Sequence, residues 1–410
     1  MRSTIRFGLD SSVEFDLPDG VLLAECGRPR ARPLDDPVAA MARALAEPLG
    51  YPPLAKCTTP GDRVALVLDR GLPQAPLLVA GMVRSLVAAG VGLDGLTVLP
   101  SPEDAHAGPH AFCRELPADW QHHVAVISHD PADRRGMAYL AASQSGEPIF
   151  LNRAIIDADL VLPVGCASRP NEAGRFGVHS PIYPAFSDQR TLERFRAPDA
   201  LRTQGPLRKR LMQQVDEVGW LLGITFAVQV VPGSGDRILH LLAGEVGEVG
   251  RRGRALYRRA WSCTAPAQAS LVVAAIEGDA SQQTWRHLGQ SLATAGALVE
   301  EGGAIALCCG LSDAPGPAIR RLAGAPSRKA ALRQIRKQRA EDALLAAQLS
   351  AAQERARVYL LSGLDPALLD ELEIAAIADT RELARLAARH KSCIVLANAH
   401  RAMARVEIPS

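Results

Sequence analysis

The chain is 410 residues long, 48% hydrophobic and 22% charged, with a formal net charge of +2. That length favours two domains over one, and the composition excludes a disordered chain. A near-neutral balance gives no basic field for nucleic acid, and the longest apolar stretch, 77–93, is broken by Arg84 and is not expected to span a membrane.

The elements read in chain order as follows. Residues 37–48 follow two aspartates with a proline and place Val38, Met41 and Leu45 on one helical face. Arg63 to Asp69 is a continuous apolar run closed by an acid, which predicts a buried strand opening into a loop. A helix is predicted over 75–91 and a strand over 96–99. Further strand-like runs occur at 123–128, 159–165 and 224–231. Runs without alternation, separated by helical stretches, predict a parallel sheet covered on both faces.

The last third repeats the pattern. Strands are predicted at 270–278, 304–310, 357–363 and 392–399, with helices near 282–298, 326–355 and 380–390. The fold class expected is therefore α/β, two doubly wound domains with mainly parallel sheets and an interdomain cleft. The Arg-rich stretch 245–265 is read as the boundary, giving domains 1–260 and 261–410. Ligands of such sheets lie beyond the carboxyl ends of the strands, so the cleft is the expected site.

The local motifs name no reaction. Gly233-Ser234-Gly235 reads as a tight turn, and no H-E-x-x-H, P-loop or G-x-S-x-G occurs. His122-His123 and Cys308-Cys309 are adjacent pairs whose side chains would diverge on a strand, so both read as structural. The run 328–339 reads as a solvated helix face. Eight scattered cysteines without a C-x-x-C argue against a disulfide scaffold or a zinc ribbon and for a reducing, cytoplasmic setting. Only five lysines occur, at 56, 209, 329, 337 and 391, against 41 arginines.

Several segments, in order, resemble the nickel-dependent lactate racemase (LarA) family. They include FDLPDG (15–20), GDRVALVLDRGLP (61–73), ISHD (127–130), GEPIFLNRAIIDADLVLPVG (146–165), AGRFGVHSPIYP (173–184) and LSDAPG (311–316). The resemblance covers nearly the whole chain, and its LNR-x-x-x-x-ADL-x-x-x-x-G block is the most specific part. It implies two α/β domains and a nickel-pincer nucleotide, tethered to a lysine, that accepts and returns a hydride from a 2-hydroxy acid.

Position by position, the family's functional groups are replaced. Its D-x-T-R-P loop reads Asp69-Arg70-Gly71-Leu72-Pro73, with leucine where the carboxylate-holding arginine belongs. Its G-T-H-R turn reads LPSPE (99–103), without a histidine. In the block that supplies a nickel-ligand histidine and the covalent lysine, Pro170 and Ser180 take those positions, and no lysine lies between Lys56 and Lys209. The second-domain Q-x-x-K pair maps to His287 and Gln290.

The expectation is a divergent LarA-like protein, a pseudoenzyme for the usual racemisation, whose cleft binds a small 2-hydroxy acid or related carboxylate. No cofactor, nucleic acid or membrane partner is expected, and the oligomeric state stays open. The alternative is an active 2-hydroxy acid racemase or epimerase holding the nickel-pincer nucleotide without a covalent bond. Candidate catalytic residues are Asp69, Arg70, His129 and His179, with His179 also the candidate metal ligand. Candidates around a cofactor are Ser180, His287, Gln290, Ser312 and Asp313. A new reaction in the old cleft would draw on Cys166, Arg169, Arg175 and Ser180.

Overall fold

A computed structural model describes residues 2–104, 108–170, 172–201 and 205–407. The chain divides into two compact units, one of residues 32–233 and 237–257, the other of 1–31, 234–236 and 258–410. The expected division at 260/261 is thus corrected in two ways. The main boundary falls at 257/258, and the first 31 residues join the C-terminal unit because the strand Leu22–Cys26 pairs in parallel with Cys393–Leu396. Most of the Arg-rich stretch read as the boundary forms the helix Val246–Trp261.

In the first of these units a six-stranded sheet runs in the order Ile238–Glu245, Phe226–Pro232, Leu160–Cys166, Val64–Leu68, Leu96–Leu99, Ala125–Val126. All pairings are parallel except the Phe226–Pro232/Ile238–Glu245 hairpin, whose tight turn matches the reading of Gly233-Ser234-Gly235. Val64–Leu68 is the central strand, and every one of its residues is buried, as an unalternated apolar run requires. The helix Pro37–Ala46 begins at Asp36, whose carboxylate accepts from the Ala39 N–H. It turns Met41 and Leu45 inward against the helix Ala75–Ala88. The run expected as a strand over 123–128 is reduced to two paired residues. A hairpin of Met137–Ala142 and Pro148–Asn152, which the sequence reading passed over, carries the first two residues of the LNR block, Leu151 and Asn152, at its end.

The other unit carries a six-stranded parallel sheet in the order Ala375–Ala376, Ala356–Leu361, Val299–Cys308, Ala269–Ala275, Cys393–Leu396, Leu22–Cys26. The region read as one long helix over 326–355 is two helices, Arg328–Gln338 and Ala343–Arg355. Cys26 and Cys263 are joined by a disulfide with their Cα atoms 5.7 Å apart, against the expectation of free thiols throughout. The spacing of 237 residues gave no sign of it, because the strand that carries Cys26 comes from the far end of the sequence.

Candidate functional site

The parallel strands Val64–Leu68 and Leu160–Cys166 are neighbours, so their carboxyl ends deliver Asp69 and Cys166 to the same place. Asp69 is buried and accepts three hydrogen bonds: from its neighbour Arg70 N–H at 2.9 Å, from Cys166 N–H at 2.9 Å and from Arg175 Nη1 at 2.5 Å. Burial alone would lower the Arg175 pKa, but the charges of Asp69 and Glu172 outweigh it and hold the guanidinium firmly protonated. Glu172 Oε1 lies 3.7 Å from Arg175 Nε.

Arg70 turns away from Asp69. Its Nη1 donates to Glu103 Oε1 at 2.8 Å and its Nη2 to the Gly174 carbonyl at 3.0 Å. Burial opposes its charge, and Glu103 more than restores it. Asp104, one residue on, accepts from Gly71 N–H at 2.7 Å. Two acids beyond the strand Leu96–Leu99 thereby fix the loop that follows Asp69. Leu72, at the position of the family's arginine, is 7% exposed and packs in the hydrophobic core.

The segment after Cys166 is held from below by Arg208, on the helix Pro206–Leu221. Its Nη2 donates to the Glu172 and Arg175 carbonyls at 3.0 and 2.6 Å, and its guanidinium carbon lies 5.0 Å over the Phe176 ring. Burial pulls its pKa down, and Glu172 offsets part of that. Ser180 closes the same segment: its Oγ accepts from the Phe176 N–H at 2.7 Å.

His179 is buried with its ring against Gly219, at a spacing that would admit no side chain there. Its Nδ1 has no hydrogen-bond partner, and burial lowers its pKa despite the nearby charge of Asp216. His129 lies apart from this group. Its Nε2 donates to the Ser187 carbonyl at 2.9 Å and its Nδ1 accepts from Asn152 Nδ2 at 3.2 Å, so both ring nitrogens are spent on structure. Burial lowers its pKa as well. His129 thereby links the LNR asparagine, Asn152, to Ser187.

The candidates of the other unit fall in two groups. His287 is buried on the helix Trp285–Gly296, with Nδ1 donating to the Gln282 carbonyl at 2.8 Å and its ring 4.5 Å from that of His400. Arg401 binds both neighbours, through Nε to His400 Nε2 at 3.0 Å and through Nη2 to Gln282 Oε1 at 2.6 Å. Gln290 is buried one turn further along the same helix. Ser312 and Asp313 are exposed beyond the strand Val299–Cys308, where the Asp313 carbonyl accepts from Trp285 Nε1 at 2.9 Å.

Cys166 is half-buried and Arg169 lies in the same loop. Sequence reasoning missed Glu103, Glu172, Arg208, His400 and Arg401. For His400 and Arg401 a signal existed, since they follow directly on a predicted strand end.

Residues 9–196 match the family model described as the lactate racemase N-terminal domain. Over its whole length the chain is similar to the lactate racemase apoprotein from Thermoanaerobacterium thermosaccharolyticum. The TM-score is 0.75 and the identity 18%, covering 99% of this chain and 100% of that one. A protein from Thermotoga maritima is also similar, with a TM-score of 0.66 and 12% identity, over 91% of this chain and 99% of the other. No curated protein matches the sequence.

Proposed function

We propose that this chain, whose residues 9–196 match the lactate racemase N-terminal domain model and whose fold is similar to that of a lactate racemase apoprotein, is a divergent LarA-like protein that binds a small 2-hydroxy acid or related carboxylate and does not run the covalent nickel-pincer racemisation. The nickel-pincer nucleotide implied by the family needs a lysine to link to and nitrogen or sulfur donors for the metal. The lysine position is Ser180, and its hydroxyl is already engaged by the Phe176 amide. Pro170 offers no donor at the position of the ligand histidine. Among the described residues no group of three or more His, Cys, Asp and Glu side chains is placed to hold a metal. These residues do not fit the tethered group.

The observation that carries the carboxylate reading is Arg70. It stands at the carboxyl end of the central strand, where ligands of such sheets bind, and its Nη1 already holds a carboxylate, that of Glu103, at 2.8 Å. Glu103 is half exposed, so a ligand carboxylate can take its place on a guanidinium built for such partners. Arg175 does not offer the same exchange, because Asp69 neutralises it out of solvent.

Calorimetric titration with D- and L-lactate tests this reading. Wild type is expected to bind, Arg70→Met to lose at least about tenfold in affinity, the equivalent of 1.4 kcal/mol, and Glu103→Gln to gain. Wild-type protein that binds neither lactate nor other small 2-hydroxy acids would refute it.

A further inference from the structure

The Arg-rich run first read as a solvated helix face is part of a larger charge pattern. Between residues 314 and 340 the chain carries eight Arg and Lys side chains and no Asp, Glu or aromatic residue. With the whole chain at +2, everything outside this segment sums to −6. Two of the five lysines, Lys329 and Lys337, fall here as well.

The structure places four of these charges along one exposed helix face. The helix Arg328–Gln338 buries Ala331 and Ile335 in the core of its unit. Lys329, Arg333, Arg336 and Lys337 then form an exposed stripe at four- and three-residue steps, about 12 Å long at the rise of an α-helix. The shorter helix Pro317–Leu322 lies alongside, tied by Arg321 Nη1 to Gln334 Oε1 at 2.9 Å. Arg328 alone turns inward, to Glu373 at 3.3 Å and the Leu372 carbonyl. Among the described residues Lys329, Arg333, Arg336, Lys337 and Arg339 form no ion pair.

Helix stability does not account for the stripe. Arg336 and Lys337 in the last turn complement the helix dipole, but Lys329 stands in the first turn, where a cation opposes it. We infer that this face binds the phosphate backbone of a double-stranded nucleic acid without reading sequence. The alternatives need features it lacks. A protein interface wants an aromatic or apolar core. Stable membrane binding wants a second, apolar signal, and the larger apolar side chains of this helix, Leu332 and Ile335, pack against the core. Single strands want aromatic stacking. A duplex needs only the density of its own charge, one per about 1.7 Å of axis. Net charge hides how the charges are segregated, and a backbone contact of this kind needs neither the aromatics nor the groove-reading residues whose scarcity argued against nucleic acid in the sequence.

The test is fluorescence anisotropy of a labelled 20-base-pair DNA duplex, titrated with the full chain between 20 and 200 mM salt. With about five phosphate contacts, log K is expected to fall against log salt with a slope of about −4 to −5. The variant K329E/R333E/R336E/K337E, and its glutamine counterpart should the reversal fail to fold, are expected to lose binding and the slope together. R252E/R254E/R258E/R259E, the same charge change on the exposed face of Val246–Trp261, is expected to keep both. No duplex binding by wild type at 20 mM salt would overturn the inference, as would equal losses in both sets of variants. Tighter binding to phosphatidylserine vesicles or to a poly-glutamate peptide than to the duplex would overturn it too.

Discussion

Arg175 Nη1 and Asp69 Oδ2 lie 2.5 Å apart, with the two side chains 13% and 6% exposed. This pair closes the end of the central strand, and Asp69 also takes the Arg70 and Cys166 amides, so the carboxylate organises two loops at once. Removing one partner strands the other as a buried charge, which typically costs about 3–5 kcal/mol. Asp69→Ala is expected to destabilise the protein by that much in urea unfolding. The double variant Asp69→Leu/Arg175→Met should cost less than Asp69→Ala alone, since it removes both ions of the pair and Glu172 keeps the charge of Arg208 nearby.

Stability should fall as the solution is acidified from pH 7.5 to 5.5. Burial lowers the pKa of His129 and of His179, so the folded protein resists protonation that the unfolded chain accepts near the ordinary value of about 6.5. The unfolded state then binds more protons, and the free energy of unfolding drops as pH falls from 6.5 toward the folded values. Asp216, raised by burial, has the opposite sign in the window just above the ordinary carboxylate value. Urea midpoints taken across this range should slope downward toward acid, and His129→Gln and His179→Gln should each flatten the slope. An unchanged slope in both variants would contradict the assignment.

Much of this was legible in the sequence, for a physical reason. Val64–Leu68 and Ala269–Ala275 are buried on both faces, and unbroken apolar runs announce that burial directly. Asp69 was legible because an acid ended such a run. Glu103 and Arg208 were not, because each acts on a residue over 30 positions away, Arg70 and Arg175 respectively, and no local pattern records that pairing. Leu22–Cys26 escaped notice for the same reason: its partner is Cys393–Leu396. His129 showed the reverse weakness. A histidine at a strand end looks chemical until Asn152 and Ser187 are seen to use both of its nitrogens.

The thiols should separate into three classes on alkylation of the native protein. Cys57 and Cys166, half-buried, are expected to react first. Cys113, Cys308, Cys309 and Cys393 should stay protected until unfolding, because burial removes access and pushes their thiols up, to about 12 for Cys309 and Cys393. Cys26 and Cys263 should be modified only after reduction. Peptide mass mapping with and without reductant reads all three classes in one experiment.

Gly27 is expected to be intolerant of any side chain. Its φ is 78°, and a Cβ built there would lie 1.5 Å from the Ala397 carbonyl oxygen, in the backbone that follows Cys393–Leu396. Backbone cannot step aside as a flexible side chain can, so Gly27→Ala should destabilise by more than about 2 kcal/mol in thermal or urea unfolding. Gly61→Ala, also at positive φ but with nothing within 4 Å, should cost only the conformational share, about 1 kcal/mol.

The central claim is that this LarA-like chain does not carry the tethered nickel-pincer nucleotide. Its most direct test is the intact mass and nickel content of the protein after co-expression with the enzymes that make that cofactor. The account predicts the mass of the 410-residue chain, less two hydrogens for Cys26–Cys263, and nickel well below one per chain. A mass raised by the nucleotide, or stoichiometric nickel released only on denaturation, would contradict it.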